Sequence, residues 1–206
     1  MNEIVDYLNI KIPNPICELN YSLDYELLIA VMFSAQTTDK RVNTVTYKLF
    51  KEYDSLDKLK DANLDNIINL VRPLGSYNRK SMNVIEIARH LYEDCNCIVP
   101  NNRTYLETLP GVGRKTTNVV LNILFNEQCV AVDTHVARVS IRLGIAKKND
   151  NVLVIEKKIT KKFKNNDLGL IHHQLLLFGR YYCKAIKPLC EDCGLKDFCK
   201  EKKRVK

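Results

Sequence analysis

Glycine and proline are scarce, with seven and six residues in a chain of 206, which excludes a fibrous repeat and argues against disorder. Long apolar runs are absent too. The longest, Leu27 to Phe33, has seven residues, where a bilayer-spanning helix needs about 20. No charged, apolar and small-residue segment of the signal-peptide type opens the sequence, so a soluble cytoplasmic protein is expected. No run of four or more residues alternates convincingly between apolar and polar, and no internal repeat is visible. Neither a half-buried sheet nor a solenoid is therefore expected.

What is present is a helical rhythm. Hydrophobic residues make up 46% and charged residues 27%, enough to bury a core at the size of one large or two small domains. Leu28, Val31, Met32 and Ala35 form one stripe, capped by Ser22 or Asp24, and Val42, Val45, Leu49 and Phe50 form another, opened by Thr38 and Asp39. A third, Leu64, Ile67, Ile68 and Val71, follows Asn63 and stops at Pro73; a fourth is Val84, Ile87, Ala88 and Leu91. Further helices are predicted over 104–109, from the 109–120 motif to Phe125, and over 135–143, 152–163 and 168–182. The fold class is all-α, built of compact bundles with short connections.

Charge is uneven. The net formal charge is +8, yet residues 1–132 hold 14 basic against 16 acidic side chains, while residues 133–206 hold 18 against 8. A one-sided basic excess suits a nucleic-acid partner, because phosphate neutralisation releases counterions. Solvated surface lysine gives the same count, and Lys161, Lys162, Lys164 and the tail Lys202, Lys203, Arg204 and Lys206 fit either account.

The stretch LPGVGRKTTNVV, residues 109–120, reads as a helix-hairpin-helix turn. Pro110 stops one helix, and Gly111 and Gly113 permit positive φ and close approach of another molecule. Backbone amides at the start of the next helix then face outward at the positive end of its dipole, where phosphate binds well. A helical wheel buries Thr116, Val119, Val120, Ile123 and Leu124 and exposes Arg114, Asn118 and Asn122, leaving Lys115 at the boundary. An ammonium in a first turn, beside Arg114 and against apolar neighbours, is disfavoured in its charged form on three counts. Such a lysine suits an amine nucleophile; contact with phosphate is the plainer alternative. In VAVDTHVARV, Asp133 can cap a helix and keep one oxygen free for proton transfer or for stabilising positive charge on a sugar.

Eight cysteines fall into two groups. Cys17, Cys95, Cys97 and Cys129 are scattered, as buried or half-buried thiols of a reduced compartment would be. Cys183, Cys190, Cys193 and Cys199 are spaced C-x6-C-x2-C-x5-C. Only one pair has zinc-like spacing, and the wider loops suit a cubane iron–sulfur cluster, ahead of zinc and of a disulfide pair. The loop between the first two carries Lys184 and Lys187.

Together LLIAVMFSAQTTDKRVN, LPGVGRKTTNVVLN, VDTHVARV and HHQLLLFGRYYCKAIKPLCEDCGLKDFC resemble the endonuclease III family of helix-hairpin-helix glycosylases. These are bifunctional DNA glycosylases and abasic-site lyases of base excision repair. The resemblance spans almost the whole chain. It implies two helical domains with the active cleft between them: a six-helix domain over 21–129, with the hairpin at about 104–125, and a [4Fe-4S] cluster domain formed by 1–20 with 130–206. It implies damaged double-stranded DNA as partner and oxidised pyrimidines as substrates; the short apolar runs exclude membrane association, and a monomer fits an enzyme that slides on duplex DNA.

Lys115 becomes the Schiff-base nucleophile, Asp133 the catalytic carboxylate, and the four clustered cysteines the iron ligands. Gly111, Val112, Gly113, Arg114, Lys184 and Lys187 become DNA contacts, and Gln36 fills the space left by a flipped nucleotide. Ser76 stands where the family has a bulky apolar wedge, a departure that makes Leu74 the substitute. His135 is assigned no step, and His172 and His173 are read as packing or hydrogen-bonding residues. Two rivals are a monofunctional mismatch glycosylase, which carries a different residue at the position of Lys115, and a non-enzymatic iron–sulfur DNA-binding protein. The second leaves the pairing of Lys115 with Asp133 as coincidence.

Overall fold

A computed structural model describes residues 3–201, so the basic tail residues Lys202, Lys203, Arg204 and Lys206 lie outside the described residues. In chain order the helices are α1 (Glu3–Lys11), α2 (Asp24–Phe33), α3 (Asp39–Glu52), α4 (Leu56–Lys60), α5 (Leu64–Val71), α6 (Tyr77–Cys95), α7 (Arg103–Leu106), α8 (Arg114–Phe125), α9 (Thr134–Arg142), α10 (Val152–Lys162) and α11 (Leu168–Leu177). A π-helical turn, Phe178–Tyr182, follows α11, and no strand occurs among the described residues. The chain divides into two compact units, Cys17–Phe125 and Met1–Ile16 with Asn126–Lys206. None of the described helices is long and apolar enough to cross a membrane.

In the 17–125 unit, α2 is the central element, buried along its whole length from Leu27 to Phe33 and packed on α3, α6 and α8. Its N-terminus differs from the sequence expectation. Leu23 occupies the N-cap, and the Glu26 carboxylate reaches back to accept the amides of Ser22 at 2.6 Å and Leu23 at 3.3 Å. Neither Ser22 nor Asp24 caps the helix, because a buried glutamate in its first turn already satisfies these donors. Ala35 falls beyond the helix end and is exposed. The Asn63 cap of α5 is present, its side chain accepting from Asp65 and Asn66 amides. This unit holds seven helices where periodicity predicts six. The addition is α4, whose five residues give a single turn in which no period can show, and which Ser55 caps.

The other unit gathers α1, α9, α10 and α11 around Leu8, Val136, Val139, Ile155, Ile159, Phe163, Ile171 and Leu175. Helix α1 escapes the sequence reading, although Ile4, Val5 and Leu8 lie on one face. Gln174 ties it to α11, donating to Asn9 Oδ1 at 2.9 Å and to the Ile12 carbonyl at 3.1 Å.

The helix predicted over 168–182 keeps α-geometry only to Leu177. The cause is one carbonyl. Gly179 O, which the amide of Cys183 would take in an α-helix, accepts instead from Arg138 Nη2 at 2.6 Å. The Cys183 amide bonds to Phe178 O at 2.7 Å, the i to i+5 pattern of a π-turn. Close approach of α9 makes this possible, since a Cβ on Gly179 would lie 2.9 Å from His135 Cβ and 3.1 Å from both the His135 carbonyl and Val139 Cγ2. Gly179→Ala is therefore expected to destabilise the chain by about 1–3 kcal/mol through overpacking, read as a lower urea midpoint. An unchanged midpoint would mean that the turn can move off α9 freely.

Candidate active site and cluster domain

The hairpin between α7 and α8 is built as its residues dictate. Asn102 caps α7 through the Tyr105 amide at 3.1 Å, and the chain then reverses over 107–113. Gly111 has φ +78°, and a Cβ there would overlap the Asn83 side-chain amide and approach Met32 Cγ to 3.2 Å. Gly113 behaves differently from the expectation of positive φ. Its φ is ordinary, and a Cβ on it would meet nothing within 4 Å, so its open side is room for another molecule rather than a conformational need. Val112 departs from the expected contact as well. Its side chain is buried and its amide donates to the Leu109 carbonyl at 3.0 Å, which makes it an anchor of the turn with no donor left for phosphate. The amides of Gly111 and Gly113 have no acceptor among the described residues. Gly113 also brings no side chain to cap α8, and no acidic residue stands in that helix's first turn.

Helix α8 is rotated relative to the wheel. It buries Thr117, Asn118, Val120, Leu121 and Asn122, while Thr116, Val119, Ile123 and Leu124 are half-buried. Polar partners outweigh hydrophobicity here: Arg103 Nη1 donates to Asn118 Oδ1 at 2.7 Å, and a satisfied amide can be buried at little cost. Lys115 is consequently exposed rather than held at an apolar boundary. It makes no hydrogen bond or ion pair among the described residues. Arg114 is exposed beside it.

Two more proposed contacts lie in this unit. Gln36, at φ 58°, and Ser76, at φ 57°, are exposed residues in the left-handed region. Leu74 is 2% exposed and cannot serve as a wedge. Its burial overturns the substitution expected from the sequence.

Asp133 belongs to the other unit, where it caps α9: Oδ1 accepts the Val136 amide at 2.7 Å, and no hydrogen bond to Oδ2 occurs among the described residues. His135 places Nδ1 3.2 Å from Arg138 Nη2. His172 is buried, its ring edge-on to His173 at 4.9 Å, and His173 Nδ1 lies 3.0 Å from the Gly169 carbonyl. His172 and His173 thus have the packing and hydrogen-bonding surroundings expected of them.

Cys183, Cys190, Cys193 and Cys199 all line one cavity of about 240 Å³, whose walls include Leu143, Phe178, Leu189 and Leu195. Among the described residues no three His, Cys, Asp or Glu side chains are drawn together as one ion requires. The four thiols face a space rather than a point, and apolar walls around it suit the sulfur-rich surface of a cubane cluster. Cys97 departs from the buried or half-buried expectation and is exposed; Cys17, Cys95 and Cys129 are half-buried, and none of the four is in a disulfide.

Arg142 and Arg138 escaped the sequence reading. Arg142, 5% exposed, donates from Nη1 to Cys183 Sγ at 3.2 Å, to Cys183 O at 3.1 Å and to Lys184 O at 2.7 Å, and from Nε to Glu201 at 3.0 Å. Arg138 Nε adds a bond to Cys183 O at 3.1 Å. Burial pushes the Cys183 thiol up, while the Arg142 guanidinium and the Arg138 charge oppose it and favour the thiolate that iron needs. The signal was available: basic residues four apart on a strongly amphipathic helix, with one on the buried face. The outer part of the loop is open, with Lys184 and Lys187 exposed.

Known proteins share this architecture and its sequence. Residues 29–165 match the HhH-GPD superfamily of base excision DNA repair proteins, and residues 183–199 match the iron–sulfur binding domain of endonuclease III. Endonuclease III of Haemophilus influenzae is 44% identical over 98% of this chain and 96% of its own length. That of Bacillus subtilis is 41% identical over 96% and 90%. Among solved structures, a trapped endonuclease III–DNA covalent intermediate in an estranged-adenine complex superposes with a TM-score of 0.93 at 41% identity, covering 98% of this chain and 95% of that one. Motifs, all-helical units and cysteine-lined cavity agree with these likenesses, and the chain belongs to the endonuclease III family: a base excision repair DNA glycosylase and abasic-site lyase whose cofactor is a [4Fe-4S] cluster.

Proposed function

We propose that Lys115 is the amine nucleophile and Asp133 the carboxylate of base excision on oxidised pyrimidines in duplex DNA. One observation carries the reading: an exposed lysine, unpaired among the described residues, stands in the first turn of α8 directly after glycine amides that lack acceptors. Such a turn binds the phosphate backbone and leaves the amine pointing at what lies beside it. A stacked nucleotide hides its sugar C1′, so the damaged nucleotide must first leave the duplex.

The free amine of Lys115 attacks C1′ as the C1′–N bond to the base breaks, and the base departs with a proton. Ring opening gives an iminium joining Nζ to C1′, which acidifies the C2′ hydrogens. Loss of one of them expels the 3′-oxygen and cuts the strand on the 3′ side of the lesion, and water then releases the lysine. Asp133, with one oxygen held by the α9 cap and the other available, relays protons and stabilises positive charge developing on the sugar. The two residues belong to different units, so support for the pairing is local to each and comes also from the family.

Gln36 and Ser76 meet the duplex where the nucleotide leaves. Gly111, Gly113 and Arg114 hold phosphate in one unit, and Lys184 and Lys187 do so in the other. Cys183, Cys190, Cys193 and Cys199 ligate the iron; the cluster's role is to brace the loop that carries the two lysines. The protein acts as a monomer.

Borohydride should trap a covalent complex with abasic duplex DNA, and Lys115→Gln should abolish the adduct while leaving binding intact; an adduct in that variant would reassign the nucleophile. Asp133→Asn keeps a good N-cap, so thermal stability should hardly change while single-turnover excision falls about 10²-fold. Near-normal rates would reduce Asp133 to a cap. Lys184→Gln and Lys187→Gln should each lower the slope of log affinity against log salt by about one, and an unaltered slope would remove them from the interface. Cys193→Ser should lose iron and the visible absorbance of the cluster, measured on anaerobically purified protein.

A further inference from the structure

Helix α6 carries a lysine with almost no access to solvent. Lys80 is 5% exposed, and its Nζ donates to Phe33 O and Ala35 O, each at 2.8 Å, and to Thr37 Oγ1 at 3.3 Å. Phe33 O lies at the C-terminal end of α2, and Ala35 O in the turn that follows. An ammonium there meets unpaired acceptors and the negative end of the α2 dipole, and its three N–H groups match three oxygens spread over a five-residue segment. Burial pulls the amine below the ordinary lysine value, and the three acceptors compensate the buried charge.

The three acceptors bracket Gln36. Its φ of 58° is costly for a residue with a Cβ and persists only where the surroundings fix it. Ala35 O and Thr37 Oγ1, the groups immediately before and after it, are held by one buried cation. Further contacts draw the same helix to the neighbouring loops. The Lys80 amide donates to Ser76 O at 3.1 Å, and a Cβ on Gly75 would lie 3.8 Å from Gln36 O, placing the two left-handed turns side by side. One turn along α6, Asn83 occupies the space beside Gly111.

We propose that Lys80 is a positioning residue: its buried ammonium fixes the Ser34–Thr37 turn so that Gln36 is presented, left-handed and exposed, before DNA arrives. The inference deepens the reading of Gln36 given above and rests on it for its effect on catalysis. A pre-set turn removes the ordering that a mobile loop would need on binding. Lys80 touches neither substrate nor reacting atoms, and acts through Gln36 alone.

Lys80→Met keeps length and burial and removes every donor. Hydrogen exchange in the free protein should show the Thr37 amide, bonded to Ser34 O at 3.2 Å, exchanging about tenfold faster while amides of Val84–Leu91 stay protected. Unchanged exchange at Thr37 would overturn the proposal. Single-turnover excision from a duplex bearing one thymine glycol should fall about tenfold in Lys80→Met and in Gln36→Ala, and no further in the double variant, because coupled residues are non-additive. Losses that multiply, or a loss in Lys80→Met with none in Gln36→Ala, would also overturn it. Thr37→Val, which removes one of the three acceptors together with the hydroxyl's own 3.4 Å bond to Ala35 O, should show a smaller loss with the same coupling, and it decides the matter if Lys80→Met fails to fold. Failure of the catalytic reading is separately visible as absence of a borohydride adduct with the wild-type chain, and the exchange result then still judges the positioning.

Discussion

A helix leaves carbonyls without donors at its C-terminus, and in each unit of this chain buried or half-buried cations supply them. Lys80 answers the end of α2. In the other unit, Arg138 takes the Gly179 carbonyl and Arg142 takes those of Cys183 and Lys184. Each bond uses a desolvated positive group to set the direction of a loop, and such charge-assisted bonds are stronger than neutral ones. The loops so directed are those that carry Gln36 and the cysteine segment.

Amides at helix starts follow the opposite rule. Asp133, Asn63, Asn102, Asn151 and Asp167 cap their helices with side-chain oxygens. The start of α8 has only Gly113 in the capping position and two cations in its first turn. That arrangement is poor for the stability of an isolated helix and good for an anionic partner. Those five helices spend their first amides on side-chain caps, and α8 leaves its own to face outward.

Much of the candidate site is legible in the sequence because chemistry and spacing are local properties. The hairpin, the lysine that follows it, the capping aspartate and the four cysteines all lie within short windows where a residue's neighbours in sequence are its neighbours in space. Leu74 and Val112 are buried, against expectation, because sequence does not say which way a turn faces. The α8 wheel failed for a related reason: a face with two asparagines looks exposed until Arg103, on another helix, is found bonded to Asn118. The helical period marks Arg142 as a basic residue on a buried face but not what it touches, since Cys183 and Lys184 lie 41 and 42 residues along the chain.

By itself the sequence determined that the chain is helical, that α8 begins without a cap beside an amine, and that four thiols share one short segment. These follow from the 3.6-residue period, from glycine's missing side chain and from spacing along a loop. Only the tertiary structure decided that α11 gives way to a π-turn, that Lys115 stands exposed, and that Lys80 is buried among the carbonyls around Gln36. Each of those outcomes depends on a partner group from a distant part of the chain, and burial and hydrogen bonding are settled by where that group arrives.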